Sequence, residues 1–336
     1  MSNFHAAISK IAYYLPETVL TNDELVDGSS KWTAEQIHEK LGIRTRHIAS
    51  QSETASDLAA KAAENLFAEN PDIDRKTIDL LVFCTQSPDY LLPTSACMLQ
   101  NRLGLPTSCA AFDFNLGCSG YIYGLSIIKG MLETGQCHKA LLLNGETYSK
   151  WMDASDISVR AIFGDAGTAT LVEKSETGSI GPFVFGTDGE GAHHLIVHGH
   201  AARPLSHDPL LSKLPPHHQR DALFMDGPEI YSFTLESVPK SFRKLLSDSN
   251  LTINDMDLVV FHQANTFMLE QLRKYCMIPV NQFVIDLENY GNTVSCTIPI
   301  VLSNLLKNNQ LHQGMRLALV GFGVGLSWGG CLVDWQ

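Results

Sequence analysis

Positive charge is scarce in this chain. Lys and Arg total 24 against 36 Asp and Glu, a formal net charge of −12. Binding a phosphate backbone needs a basic face, so nucleic acid is not expected as a partner. Long apolar runs are missing as well. The longest, such as 141–143 and 258–261, fall far below a membrane span, so no membrane partner is expected. The opening residues, MSNFHAAISKIAYYLPE, lack the basic start and continuous apolar core of a signal peptide, and a cytoplasmic location is expected. None of the eight cysteines (84, 97, 109, 118, 137, 276, 296, 331) forms a C-x-x-C pair. In a long chain without a secretion signal, disulfides are then not expected. Of the thirteen histidines, the doublets His193–His194 and His217–His218 sit in Gly- or Pro-rich loops. No H-E-x-x-H or paired Cys/His spacing accompanies them, so no metal is expected.

What the chain does contain is repetition. "TIDLLVFCTQSPD" (77–89) resembles "DMDLVVFHQANTF" (255–267): an acidic residue, a buried-type strand ending in Phe, then a polar turn with Gln. "AAFDFNLGCSGYIYGLSIIKGMLETG" (110–135) and "QFVIDLENYGNTVSCTIPIVLSNLLKNNQ" (282–310) both read strand, Gly turn, small residues, amphipathic helix. "FGDAGTATLVEK" (163–174) and "FGVGLSWGGCLVDW" (322–335) both read Phe-Gly, turn, strand. The three pairs keep their order, which predicts two equivalent α/β halves, 1–175 and 176–336, each a mixed sheet flanked by helices. The boundary falls in the polar stretch "EKSETGSIG" (173–181). The second half opens with a loop-rich insertion, 186–221, to which no structure is assigned.

Duplication predicts a cleft. Packed about a pseudo-twofold axis, equivalent turns face one another. Cys118 opens the helix of one half, Asn292 opens its equivalent, and His262 follows the strand paired with the one ending at Cys84. A helix N-terminus lowers a thiol's pKa, so Cys118 is expected to be a nucleophile. Its backbone N–H is free to serve an oxyanion hole. Gly117 and Gly120 are expected to leave room for a substrate against the backbone. A neutral Asn292 amide beside a His262 imidazole would hold an enolate or thioester oxygen. The turn "GFGVG" (321–325) fails as a dinucleotide fingerprint, because a β-like segment (328–333) follows where a helix is needed. It reads instead as a tight turn with its N–H groups in the cleft.

The order Cys118, "FHQANTF" (261–267), "YGNTVSCTIP" (290–299), "GFGVGLSWGG" (321–330) resembles the β-ketoacyl-ACP synthase III family of thiolase-fold condensing enzymes. "LGIRTRHIA" (41–49), "TQSPDYLLPTSAC" (85–97), "FGDAGTATLV" (163–172) and "MDGPEIYSFTL" (225–235) support it. The resemblance implies an α/β, thiolase-like fold with five-stranded mixed sheets and shared helices. It implies a catalytic set of Cys118, His262 and Asn292, with backbone N–H groups of Cys118 and Val324 as the oxyanion hole. An acyl group from acyl-CoA would load onto Cys118. Decarboxylative condensation with malonyl-ACP would give a 3-oxoacyl-ACP, without cofactor or metal. A second reading keeps the Cys–His site but moves the acyl group to an alcohol or amine.

The resemblance further implies a homodimer and binding residues. Trp32 matches a Trp that stacks on CoA adenine, and the arginine expected soon after it has no evident match. Asn265 falls at the CoA and carrier-protein end of the site. Arg273 and Lys274 match positives that dock the carrier protein. Leu92 stands where many members have a Phe that closes the acyl pocket, which favours an acyl group longer than acetyl. Val324 replaces a glycine, a change that keeps the backbone N–H.

Overall fold

The computed structural model describes residues 4–26, 32–216 and 218–336. His217 therefore lies outside the described residues. Two five-stranded sheets carry the fold. Across the first lie His5–Tyr14, Ala166–Ser175, Lys139–Glu146, Leu80–Cys84 and Ala110–Phe114. Across the second lie Ser179–Thr187, Ser327–Asp334, Arg316–Gly323, Leu258–Phe261 and Phe283–Val284. In each, the first two pairings are antiparallel and the last two parallel. Every strand of one sheet thus has a counterpart at the same place in the other. The three sequence repeats fall on these counterparts.

The layers follow from which faces are apolar. All five residues of Leu80–Cys84 are buried, as expected for a central strand covered on both faces. Helices Gly120–Glu133 and Thr297–Lys307 lie between the sheets. Tyr121, Leu125 and Ile128 of one and Ile298, Val301 and Leu302 of the other share a core with both sheets. Helix Ala55–Glu69 covers the outer face of the first sheet, and Gly227–Asp248 that of the second. Helix Ala55–Glu69 starts at a capping box, Thr54 with Asp57. Its alanine-rich face lies so close to the sheet that a Cβ on Gly145 or Gly167 would strike the backbone of Ala55 or Leu58.

The insertion does have structure. Leu195–Val197 pairs antiparallel with Leu223–Met225, and between them His198 Nδ1 meets Asp208 Oδ2 at 2.5 Å. Loop composition hid this short hairpin, because its strands span only three residues each. No described helix is long and apolar enough to cross a membrane.

Two glycines test the helix-to-sheet packing. Gly167→Ala is expected to destabilise the protein by about 1–3 kcal/mol, since backbone and not a side-chain tip must move. Gly130→Ala, in an open helical position with nothing within 4 Å of the added carbon, is expected to stabilise it by about 0.5–1 kcal/mol. Thermal melts of the two variants check both signs.

Candidate active site

The strand Ala110–Phe114 runs into the turn 115–119, and helix Gly120–Glu133 follows. Cys118 therefore stands just before the helix, not in its first turn. The strand Leu258–Phe261 delivers His262 in the same way. Asn292 comes from the segment ahead of helix Thr297–Lys307. Cys118, His262 and Asn292 are buried, and all three line one cavity of about 120 Å³ with Phe163, Phe322 and Gly323.

Backbone pairing between the halves places Asn292. Its N–H donates to Ile162 O at 2.9 Å, and its carbonyl accepts from Gly164 N at 3.0 Å. Glycines allow this approach. A Cβ on Gly164 would strike Tyr290 O, and Gly291, at φ 67°, would put one 2.6 Å from Ile162 O. Beneath the joint lies Arg46, fully buried, donating to Asn22 Oδ1 and Ala161 O at 2.8 Å each. Burial pulls its guanidinium down to about 10. Nearby, Asp165 receives Ala49 N at 2.8 Å and Ser149 N at 3.1 Å, and burial pushes its carboxyl up to about 6.

Within the turn, Asn292 Oδ1 accepts from Val294 N at 2.8 Å. That bond commits the oxygen and aims the amide's other end, the Nδ2 donor, away from it. Asn292 is itself flanked by left-handed backbone. It occurs at Gly291 and at Val294, whose φ is 56°. A β-branched residue there is strained, and the strain sits directly beside the cavity.

His262 Nδ1 lies 2.8 Å from the Thr297 hydroxyl, which lies 3.1 Å from the Val294 carbonyl. One hydroxyl proton faces two acceptors. Given to Nδ1, it leaves the ring proton on Nε2; given to the Val294 carbonyl, it leaves Nδ1–H donating to the hydroxyl. Phe322 meets the ring edge-on at 5.4 Å. Burial pulls the imidazole down to about 3, so it is neutral across the physiological range.

The expected thiolate is corrected. Burial, and second the carboxyl of Glu146, push the Cys118 thiol up to about 12. Two N–H groups oppose this, those of Cys118 and Val324, and both reach the sulfur. The turn that carries Val324 leads from strand Arg316–Gly323 into strand Ser327–Asp334, as its sequence predicted. The flanking glycines also serve otherwise than expected. A Cβ on Gly117 would strike Gln86 and Val324, and one on Gly120 would strike Cys84. They make room for packing. Gly323 is the glycine against the thiol, where a Cβ would lie 2.8 Å from Sγ.

The remaining sequence candidates divide. Asn265 lines the cavity, with its Oδ1 capping helix Thr266–Tyr275 through Met268 N at 2.9 Å. Arg273 donates to Glu270 and the Ile278 carbonyl. Lys274 follows it on the same helix. Lys40 Nζ sits 3.9 Å over the Trp32 ring, beside a pocket formed with Ile37, Leu41 and Ile157. Leu92 is 83% exposed and lines none of the cavities described. Past Val324 opens a chamber of about 590 Å³, bounded by Gln86, Tyr148, Trp151, Leu195 and Leu223. Among the described residues, no cluster of three or more His, Cys, Asp or Glu is placed to hold a metal. Sequence reasoning missed Thr297 and Glu146. A threonine and a strand-end carboxylate carry no pattern of their own.

Comparison with known proteins places the whole chain among relatives. The profile "3-Oxoacyl-[acyl-carrier-protein (ACP)] synthase III" matches residues 112–189, and its C-terminal counterpart matches 246–335. A β-ketoacyl-[acyl-carrier-protein] synthase III of Caldanaerobacter subterraneus subsp. tengcongensis is 33% identical, with 98% of each chain covered. A solved 3-oxoacyl-(acyl-carrier-protein) synthase III is 47% identical at a TM-score of 0.92, covering 98% of this chain and 100% of its own. The 3-oxoacyl-(acyl-carrier-protein) synthase of Burkholderia xenovorans LB400 is 35% identical at 0.91, covering 99% and 94%. The fold is therefore the thiolase-like α/β fold, and the chain belongs to the 3-oxoacyl-ACP synthase III family of acyltransferases.

Proposed function

We propose that the protein condenses an acyl group from acyl-CoA with malonyl-ACP to give a 3-oxoacyl-ACP. Cys118, His262 and Asn292 are the catalytic residues, and residues 1–175 and 176–336 act as two halves that each supply part of the site. The observation that carries this is the single buried cavity shared by one thiol and two neutral donor groups from the opposite half.

In the first half-reaction, Sγ of Cys118 attacks the thioester carbon. The carbonyl oxygen gains charge, and the N–H groups of Cys118 and Val324 receive it. The bond to the CoA sulfur breaks, and the thiol proton ends on that sulfur. The resting thiol is protonated, so its proton must leave as the new bond forms. The chamber beyond Val324 receives the acyl chain, and its volume supports an acyl group larger than acetyl.

In the second, malonyl-ACP enters. Its thioester oxygen meets Asn292 Nδ2–H and His262 Nε2–H. The bond to the carboxylate breaks, CO₂ leaves, and the electron pair moves into an enolate held by those two donors. Neutral donors suit this task. A full positive charge would also hold the carboxylate in the ground state and gain less. The enolate carbon then attacks the acyl-Cys118 carbon. Sγ leaves and takes a proton from solvent, which its buried site favours.

Lys274 is proposed to meet the carrier protein, and Trp32 and Asn265 to meet the CoA or phosphopantetheine arm. A homodimer is proposed, supported by the exposed Tyr90, Leu91 and Leu92, an apolar stretch of the kind a second copy covers. Asn292 Nδ2 favours decarboxylation over simple acyl transfer to an alcohol or amine, a reaction with no enolate to stabilise.

Intact-protein mass spectrometry tests the order of events. Acyl-CoA alone is expected to add one acyl mass, mapped to Cys118, and malonyl-ACP is expected to remove it with CO₂ release. An acyl mass that malonyl-ACP does not discharge, but an alcohol or amine does, establishes the second reading.

Two variants test the division of roles. Asn292→Asp keeps the oxygen for Val294 N but replaces the donor with an acceptor. His262→Ala removes the other donor. Each is expected to slow acylation by less than about tenfold and malonyl-dependent discharge by more than about a hundredfold, on the scale of lost oxyanion-type donors. Equal loss in both half-reactions contradicts the assignment.

A further inference from the structure

Glu146 ends the strand Lys139–Glu146 and is fully buried. Among the described residues its hydrogen bonds come from hydroxyls and one backbone amide, with no cation among them. Gln86 N reaches both carboxyl oxygens at 3.2 Å. Ser295 Oγ lies 3.3 Å from Oε1, and Ser87 Oγ 3.3 Å from Oε2.

Each partner belongs to a different wall of the site. Gln86 takes the Tyr148 hydroxyl at 2.5 Å and donates to Asn115 at 3.0 Å, in the turn that leads to Cys118. Ser87 accepts Trp151 Nε1 at 3.3 Å, and Trp151 lines the chamber beyond Val324. Ser87 also accepts Thr147 N at 3.3 Å, so its own proton is free for Glu146. Ser295 sits in the turn Val294–Cys296, between Asn292 and the Thr297 that holds His262.

We propose that Glu146 is a positioning residue for acyl transfer, joining the chamber wall, the Cys118 turn and the Asn292 turn, and that its charge state sets the reactivity of the Cys118 thiol. The proposal rests on Cys118 being the nucleophile. No catalytic contact is assigned to Glu146, because it acts through the groups it holds.

The titratable groups facing it are few. From the strand Leu80–Cys84 comes Cys84, from the Cys118 turn Cys118 itself, and from the Asn292 side Cys296. Tyr148 lies just beyond its own strand, and Asp165 opposes it as a second carboxyl. None supplies a positive charge. Burial first, with Asp165 adding to it, pushes the Glu146 carboxyl up to about 8, against the hydrogen bonds that hold the anion. Below that pH it is neutral and the thiol faces only its own burial. Above it, a like charge opposes the thiolate. An ordinary thiol grows more reactive by tenfold per pH unit up to its pKa. Here the rise is interrupted where Glu146 ionises.

Alkylation of Cys118 by iodoacetamide, followed by peptide mapping from pH 6.5 to 9.5, reads this directly. The protein without substitution is expected to show a shoulder near pH 8. Glu146→Gln keeps one acceptor oxygen and carries an N–H₂ donor in place of the protonated oxygen, so it stands in for the neutral form. The rate ratio of Glu146→Gln to unsubstituted protein is expected to grow at least fivefold between pH 6.5 and 9. A merely structural role changes the rate by the same factor at every pH. A ratio constant with pH, together with a profile lacking the shoulder, overturns the proposal. If Glu146→Gln does not fold, the shoulder in the unsubstituted protein still decides. Alkylation requires no acyl-CoA, so a failure of the condensation reading appears separately, as absence of acyl mass on Cys118.

Discussion

One backbone joint holds the site together: Asn292 paired on both sides with Ile162 and Gly164, 2.9 and 3.0 Å away. On the proposed mechanism the nucleophile comes from residues before 176 and its donors from residues after it, and this joint, with the core shared by both sheets, aligns them. The glycines at 164 and 291 exist for it, and so does the buried Arg46, which ties Ala161 to the edge of the first half. The cost is a desolvated guanidinium and a strained Val294. Both sit where the two halves meet.

A second constraint is the absence of charge. Cys118 and His262 are both driven by burial to their neutral forms. Such a site stores no thiolate–imidazolium pair. On the proposed mechanism it offers instead four N–H groups, two at the sulfur and two across the cavity, to charge that exists only while substrates react. In a dry cavity such preorganised donors act more strongly than in water. Glu146 belongs to the same design, as a buried carboxyl with no cation beside it among the described residues.

Much of this was legible in the chain. The repeat of "TIDLLVFC" by "DMDLVVFH" predicted paired strands, and they occupy equivalent positions in the two sheets. The positions of Cys118, His262 and Asn292 at strand ends predicted convergence, and one cavity contains them. What sequence could not supply was environment. The dipole argument for Cys118 was sound as far as it went, but burial is a property of packing and outweighs it. Gly117 and Gly120 looked like space for a substrate because glycine itself does not say what fills the gap. Gln86 and Cys84 fill it. The partners of Arg273, Glu270 and a carbonyl five residues on, are likewise invisible until the helix end is folded.

The account depends most on His262 being a neutral donor with its proton on Nε2. Nitrogen-15 NMR of the histidine-labelled protein, with the His262 signals assigned by His262→Ala, reads ring charge and tautomer together. The account predicts a neutral ring at pH 7, protonated at Nε2 and bare at Nδ1, unchanged down to pH 5. A ring protonated at Nδ1 alone, or an imidazolium at pH 7, contradicts it.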